Sequence, residues 1–184
     1  MSVTVNTIGS WILAKKGRYI CACDVHSIVR AQDDQGHMAA LRTADLVIPD
    51  GMPLVWVGKL KGHKHMRRIC GPDLLKTVCA RSVAEGWRHY FYGGEPEVVA
   101  QLAQKLAERY PGLIIAGSES PPYRPLTADE HTQMVRRIHA TGPDIIWIGL
   151  GCPKQERWML HSRDLFYRQI LIGIGAAFDF EPVE

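Results

Sequence analysis

Short apolar segments alternate with longer amphipathic segments along this sequence, and this alternation constrains the fold more than any other feature. The apolar segments have the length of buried strands and lie at residues 19–23, 46–48, 89–92, 113–116, 145–148 and 169–172. The amphipathic segments repeat apolar residues at three- and four-residue spacing and lie at residues 25–41, 72–85, 96–109, 128–140 and 153–164. This order predicts an α/β fold, in which helices cover both faces of a mostly parallel sheet.

Length and composition are those of one ordinary globular domain. The 184 residues are 46% apolar and carry a formal net charge of +3, which excludes intrinsic disorder and predicts a single α/β domain over residues 1–184. No apolar run approaches the length of a membrane span, and residues 1–16 lack the pattern of a signal peptide. The small charge and the lack of a nucleic-acid-binding motif argue against a nucleic acid partner.

The five cysteines follow no zinc-binding or disulfide spacing. We expect reduced thiols in a cytoplasmic protein, with Cys152 partly exposed and without a histidine near it in the sequence. The other four are expected to be small core residues: Cys21, Cys23, Cys70 and Cys79. We expect no metal site.

Ligands of parallel α/β sheets bind beyond the carboxyl ends of the strands, so the turns there hold the candidate residues. Asp24 follows the first predicted strand and is either a helix N-cap or part of a site. Asp50 follows the second and precedes Gly51 and a new helix, so it too is either a cap or a carboxylate placed as a general base. We favour Asp50 as the position of a base.

Two later turns combine glycines with a proline that begins a helix. Gly93 and Gly94 form either a plain tight turn or a phosphate contact, because the sequence lacks both the dinucleotide fingerprint and a P-loop. In residues 149–158 the glycines, among them Gly151, precede three polar donors in the first helical turn, which favours an anionic ligand over a merely solvated helix start. These donors are Lys154, Gln155 and Arg157.

Two further segments leave their role open. Asp179 follows the last predicted strand between two aromatic residues and is either structural or part of the site lining. Residues 59–68 contain five positive charges and no acid. Such a run is a solvated face, a clamp for a diphosphate, or a contact with an anionic membrane surface.

Five motifs follow one another along the chain, at residues 44–55, 68–74, 91–94, 149–156 and 173–180. Together they make the sequence similar, across about residues 20–180, to the WecG/TagA/CpsF family of glycosyltransferases. The resemblance implies a Rossmann-like fold and an inverting, metal-independent enzyme without a cofactor. It also implies transfer of an N-acetylmannosamine-type sugar from a UDP-sugar to a lipid-linked sugar on undecaprenyl diphosphate, in teichoic acid or surface polysaccharide synthesis. Such an enzyme is expected in the cytoplasm, at the inner face of the cell membrane.

The resemblance also implies roles for individual residues. Asp50 is the expected general base, and Arg68 is expected to stabilise the charge that develops on the UDP leaving group. The expected donor-binding residues are Lys154, Gln155, Gly93 and Gly94.

Two departures from the family pattern affect the expectation. Ala22 and Asp24 stand where many relatives have Thr and Asn, which bears on the choice of donor. Relatives also continue through a basic, amphipathic C-terminal extension, whereas this sequence stops at Glu184. Apolar surface left by a missing extension favours a homo-oligomer. Two alternatives to a glycosyltransferase stay open. One is a catalytically silent nucleotide-binding module that acts as a subunit, and the other is a Rossmann-type oxidoreductase without the usual glycine fingerprint.

Overall fold

The computed structural model describes residues 1–178, which form one six-stranded sheet with helices on both sides. In chain order the elements are α1 (Ser2–Leu13), β1 (Arg18–Cys23), α2 (Val25–Asp33), α3 (Gln35–Thr43), β2 (Leu46–Pro49), α4 (Met52–Leu60), α5 (Gly71–Glu85) and β3 (Arg88–Gly93). They continue with α6 (Pro96–Arg109), β4 (Ile114–Glu119), α7 (Ala128–Thr141), β5 (Ile145–Gly149), α8 (Lys154–Ser162) and β6 (Ile170–Gly173). A 3₁₀ turn, Gly175–Phe178, follows.

All six strands run parallel, in the order β2-β1-β6-β5-β3-β4, and this confirms the predicted fold class. The register aligns the strand ends, with Cys23 beside Pro49 and Gly93 beside Gly149. The turns after the strands therefore meet along one side of the sheet, which we call the carboxyl edge.

The sheet separates two hydrophobic cores, because successive strand residues point to opposite faces. In β1, Ile20 contributes to one core, whereas Tyr19 and Cys21 contribute to the other. The first core is formed with residues of α1, α5 and α6, and the second with residues of α3, α7 and α8. The prediction of helices on both faces is confirmed.

Residues 25–41 form two helices, so the prediction of one continuous helix there was wrong. The chain is extended at Asp34, with φ −121° and ψ 93°, between α2 and α3. The Asp34 carboxylate accepts a hydrogen bond from the backbone N–H of His37 at 2.9 Å. Asp34 is thus the N-cap of α3, a position at which Asp is favoured over continuing a helix.

Helix α1 was not predicted, because its β-branched residues and central glycine have low helix propensity. Packing compensates, since Val5 and Ile8 are buried in the first core. Within residues 1–178, none of the helices has the length and apolarity needed to cross a bilayer.

The cysteines follow the prediction with one exception. All five are free, and Cys21, Cys23 and Cys79 are buried. Cys70 is only partly buried, and its Sγ donates a hydrogen bond to Asp73 Oδ2 at 2.9 Å. The prediction of a core position for Cys70 was wrong, because it is the N-cap residue of α5 and lies at the carboxyl edge.

Candidate active site

The carboxyl edge brings together turns that are far apart in the sequence. Neighbouring strands lie about 4.8 Å apart, so the end of β2 is about 14 Å from the end of β5, three strands away. An extended nucleoside diphosphate sugar can cover that span. The edge is therefore wide enough for a site that uses both turns.

Asp24, directly after β1, is the N-cap of α2. Its Oδ1 accepts a hydrogen bond from the backbone N–H of Ser27 at 2.7 Å, so the cap interpretation is confirmed. Asp24 also adjoins the next turn, since a Cβ placed on Gly51 would lie 4.0 Å from the Asp24 Cβ. Its negative charge therefore acts on Asp50 as well as on α2.

Asp50 follows β2 and does not cap α4, whose N-cap residue is Gly51. The backbone N–H of Asp50 donates to Cys23 O at 2.8 Å, which fixes this turn to the end of β1. The Asp50 side chain remains 28% exposed. The carboxylate is thus held in place by the backbone and still reached by solvent.

Arg68 lies beside Asp50 because the chain returns to the carboxyl edge before α5. The backbone N–H of Ile69 donates to Pro49 O at 2.9 Å and anchors this segment against the end of β2. Arg68 Nη2 is then 3.8 Å from Asp50 Oδ1, and the Arg68 side chain is 51% exposed. A carboxylate and a cation therefore lie side by side, both accessible to solvent.

Opposing effects set the pKa of Asp50. Partial burial raises it most, and the charges of Asp24 and Asp73 raise it further. A hydrogen bond from the Gly71 backbone amide and the positive charge of Arg68 lower it. The net effect is a pKa above the usual Asp value, which makes this carboxylate a stronger base than an ordinary exposed aspartate.

Gly93 and Gly94 are glycines for reasons of packing. Gly93 has φ +117°, and a Cβ there would lie 2.5 Å from Gly149 O. Gly94 has φ +71°, its N–H donates to Gly149 O at 3.0 Å, and a Cβ there would lie 3.2 Å from the Phe178 ring. The Gly94 amide is thus already bonded within the protein, while its surface lines a cleft described below. Asp179, which was also predicted as a site residue, comes directly after Phe178 and lies outside the described residues.

The turn between β5 and α8 begins at Gly151, which is exposed and has φ +76°. Gln155 in the first turn of α8 is 3% exposed. Its Oε1 accepts from the Gly175 N–H at 3.0 Å, and its Nε2 donates to Glu156 Oε1 at 2.8 Å. The Gln155 amide thus connects α8 to the segment after β6.

The other two polar donors of this turn, Arg157 and Lys154, make contacts unlike those of Gln155 and unlike each other. Arg157 forms an ion pair with Asp34, at the junction of α2 and α3. Lys154 lies with its Nζ 5.0 Å from the centre of the Tyr123 ring and lines the cleft. Of the three predicted donors, Lys154 is the one that faces an open volume.

Sequence reasoning missed a buried polar cluster behind this turn. His37 and Glu156 are fully buried, and His37 Nδ1 lies 3.9 Å from Glu156 Oε2. His37 Nε2 is 2.9 Å from Ser27 Oγ and 3.7 Å from Cys152 Sγ. Sequence distance gave no sign of a histidine beside Cys152, because His37 reaches it only through the packing of α3 against α8.

This cluster is poorly suited to nucleophilic chemistry. Burial, followed by the charge of Glu156, raises the pKa of Cys152 to about 11, so its thiol stays protonated at neutral pH. Burial also raises the pKa of Glu156. His37, Cys152 and Glu156 are the one group of three metal-ligating side chains found among residues 1–178, with ligand atoms within 4.8 Å of one another. The side-chain polar contacts of these three residues are with each other, with Ser27 and with Gln155.

A cleft of about 890 Å³ opens at the carboxyl ends of β3, β4 and β5. Two residues of its lining, Ser120 and Trp158, each have a buried side-chain polar atom without a hydrogen-bond partner within residues 1–178. Most buried polar groups are hydrogen-bonded, so these two atoms are exceptions. The aromatic and basic residues of the lining are Tyr92, Tyr123, Arg124, His131, Lys154 and Trp158.

Comparison with known proteins gives a consistent family assignment. The family described as "Glycosyl transferase WecG/TagA/CpsF family" matches residues 1–181. A protein of Bacillus spizizenii is 30% identical over 164 residues, which cover 89% of this chain and 62% of that protein. A protein of Bacillus subtilis is 27% identical over 169 residues, which cover 92% of this chain and 64% of that protein.

Both relatives are named N-acetylglucosaminyldiphosphoundecaprenol N-acetyl-beta-D-mannosaminyltransferase. The chain spans a little under two thirds of the length of each. The family match, in contrast, extends over nearly every residue of the chain. The chain belongs to the WecG/TagA/CpsF family of glycosyltransferases.

Proposed function

We propose that this chain transfers an N-acetylmannosamine-type sugar from a UDP-sugar to a lipid-linked sugar on undecaprenyl diphosphate. The transfer inverts the anomeric carbon and needs no metal ion. It takes place at the inner face of the cell membrane, in the synthesis of a cell-surface polymer. The names of the two Bacillus relatives support the sugar and the lipid-linked acceptor.

The observation that carries this proposal is the Asp50–Arg68 pair at the carboxyl edge. Glycosyl transfer needs a base for the acceptor hydroxyl and a positive charge for the leaving diphosphate. Asp50 and Arg68 are 3.8 Å apart, partly exposed, and placed by backbone hydrogen bonds on either side of the end of β2. The two required groups are thus adjacent and open to a substrate.

The reaction is a single displacement. Asp50 accepts the proton of the acceptor hydroxyl while that oxygen forms a bond to the anomeric carbon of the donor sugar. The bond from the anomeric carbon to the diphosphate oxygen breaks, and UDP leaves with the electron pair. One base and one displacement invert the anomeric centre, and Arg68 stabilises the charge that develops on UDP.

We assign the donor nucleotide to the cleft at the ends of β3, β4 and β5. Lys154 supplies a cation at the N-terminus of α8, where the helix dipole already favours an anion. The exposed Tyr123 ring offers a face for stacking. Gln155 and Glu156 support this turn from behind and are not assigned a direct contact with the donor.

The absence of a metal requirement follows from where the positive charges lie. Arg68 and Lys154 are on the two sides of the carboxyl edge, and the sequence contains no Asp-x-Asp pair of the kind that holds a cation on a diphosphate. We expect transfer to be unchanged by EDTA. Loss of turnover in EDTA, with recovery on adding Mg²⁺ or Mn²⁺, would contradict this part of the proposal.

The Asp50→Asn variant tests the proposal as a whole. Loss of the base should lower kcat by about 10²–10⁴-fold, while UDP affinity measured by calorimetry stays close to that of the unmodified chain. Asp33→Asn, which neutralises an exposed carboxylate at the end of α2, is the matched control and should keep full turnover. A chain that binds UDP but shows no turnover with any lipid-linked acceptor would instead be the silent nucleotide-binding module.

A further inference from the structure

Helix α4 exposes apolar side chains on one face. Met52, Trp56 and Leu60 follow one another at four-residue spacing and are 41%, 58% and 88% exposed. Val55 and Gly58, on the opposite side, are buried against the protein. The helix therefore shows an apolar stripe to the outside as well as an apolar side to the core, which is unusual for a surface helix.

A strongly basic segment continues directly from this stripe. Residues 59–68 contain no acidic residue, and all five cations are exposed. Of these cations, Arg68 has a carboxylate within 4.0 Å, and the other four have none among residues 1–178. The cations are Lys59, Lys61, Lys64, Arg67 and Arg68. The segment therefore presents positive charge that the carboxylates of residues 1–178 leave mostly uncompensated.

Apolar side chains bordered by cations fit an anionic bilayer better than the other possible occupants. Tryptophan favours the interfacial region, and lysine and arginine are attracted by anionic lipid headgroups. A second copy of this face would bring two sets of five cations together, and a nucleic acid would leave the apolar stripe exposed to water. Charge complementarity therefore selects a negatively charged lipid surface.

Asp50 and Arg68 enclose the stripe and the basic segment in the sequence. Helix α4 begins two residues after Asp50, and Arg68 is the last residue of the basic segment. A surface that rests on the headgroups here would bring the pair close to the diphosphate and sugar of a lipid-linked acceptor. This step of the argument rests on the function proposed above.

We propose that the exposed face of α4, formed by Met52, Trp56 and Leu60, docks on an anionic membrane together with the basic segment at residues 59–68. The apolar side chains enter the headgroup region, and the four cations without a carboxylate partner among residues 1–178, Lys59, Lys61, Lys64 and Arg67, contact the lipid phosphates. The docked orientation turns the Asp50–Arg68 end of the carboxyl edge toward the bilayer.

Vesicle sedimentation tests the proposal with two matched pairs of variants. The first pair is Trp56→Ser/Leu60→Ser against Val3→Ser/Leu13→Ser, since the latter two side chains on α1 are 76% and 85% exposed. The second is Lys61→Glu/Lys64→Glu against Lys15→Glu/Lys16→Glu, all of them exposed. The probe is vesicles of phosphatidylcholine with and without phosphatidylglycerol.

We expect the chain to bind the vesicles that contain phosphatidylglycerol and to bind pure phosphatidylcholine weakly. The α4 and basic-segment variants should lose more than about tenfold in affinity, whereas both control variants keep it. All four should melt at nearly the same temperature, because every changed side chain is exposed. Equal loss in the control variants, or equal binding to both vesicle types, would overturn the proposal. A dimer in solution that the α4 variant dissociates would also overturn it.

Turnover with two acceptors separates this proposal from the proposed function. With a short-chain, water-soluble acceptor the α4 variant should keep its turnover, and with an acceptor embedded in vesicles it should lose most of it. Turnover without vesicle binding would overturn the docking surface and leave the transferase proposal standing. Vesicle binding that depends on α4, without any turnover, would support the surface and contradict the transferase proposal.

Discussion

The two ends of the carboxyl edge have similar sequence patterns, but their polar side chains are partly exposed at one end and buried at the other. After β2 and after β5 the chain has a glycine, a proline and polar residues beside a helix start. Asp50 and Arg68 at the β2 end are partly exposed and paired only at 3.8 Å. Gln155 and Glu156 at the β5 end are buried and hydrogen-bonded to each other.

This difference shows that the type of a residue near a strand end does not by itself tell whether the residue can act on a substrate. When both polar atoms of a side-chain amide are hydrogen-bonded inside the protein, the side chain holds the neighbouring backbone in place, as Gln155 does for Gly175. A polar side chain left partly open can meet a substrate. In the function proposed above, the β2 end is the reactive side, and the β5 end is a support that presents Lys154.

After Asp50→Asn, the largest effect is expected at the same open end, in the variant Arg68→Ala. Removing a cation that stabilises the leaving group should lower kcat by about 10²–10³-fold, with little change in unfolding free energy because half of this side chain is exposed. Steady-state kinetics with a soluble acceptor measures it. Arg42→Ala, at an exposed position in the last turn of α3, is the control and should retain full turnover. Unchanged kcat in Arg68→Ala would remove Arg68 from the mechanism.

The next effect is expected at the closed end, in the variant Gln155→Ala. It leaves the Gly175 N–H and Glu156 Oε1 without their partner, so the unfolding free energy should fall by about 2–4 kcal/mol. Urea denaturation followed by circular dichroism measures this loss. The exposed Gln101→Ala on α6 should change stability by less than about 0.5 kcal/mol. If Gln155→Ala keeps its stability and loses only UDP affinity, the turn is a binding site instead of a support.

A smaller effect concerns the pH dependence of stability. Burial raises the pKa of Glu156 in the folded chain above that in the unfolded chain, so the folded state binds the proton more tightly. The contribution of Glu156 to the unfolding free energy is fully present below pH about 4.3, and it is lost as the pH rises through the pKa of the folded state. Glu156→Gln removes this loss, so the difference in unfolding free energy between variant and unmodified chain should grow with pH across that window. A difference that is constant with pH would contradict a raised pKa.

The smallest effect is expected from Asp24→Asn. Asparagine is as good an N-cap as aspartate, so α2 should keep its stability. The charge of Asp24 raises the pKa of Asp50, and its removal should move the acidic limb of the kcat/KM profile to lower pH. Arg68→Ala should move the same limb to higher pH, because the charge of Arg68 lowers that pKa. Shifts in the same direction for both variants would show that Asp50 is not the group being titrated.

The sequence predicted the sheet well and placed Asp50 at the end of a strand, because both depend on local patterns. Buried strands appear as short apolar runs, and Asp50 directly follows one of them. The break at Asp34 was missed because apolar spacing continues across it, and only the extended backbone there reveals the cap. Arg68 was selected by family resemblance alone, since its pairing with Asp50 depends on the Ile69–Pro49 backbone hydrogen bond.

The closed end was the part least accessible from sequence. His37 and Glu156 are separated by more than a hundred residues and meet only because α3 packs against α8. The polar residues of the β5 turn suggested three donors for an anion, whereas Gln155 and Arg157 bond inside the protein. Which polar groups remain open is decided by tertiary packing, and a local pattern does not contain that information.

The most direct test makes the same chemical change at both ends, with Asp50→Asn and Glu156→Gln compared in one experiment. Each variant replaces a carboxylate by its amide, and both turnover and unfolding free energy are measured at neutral pH. The account predicts that Asp50→Asn loses about 10²–10⁴-fold in kcat with unchanged stability, while Glu156→Gln keeps kcat and changes only stability. The reverse result, with turnover lost in Glu156→Gln and retained in Asp50→Asn, would contradict it.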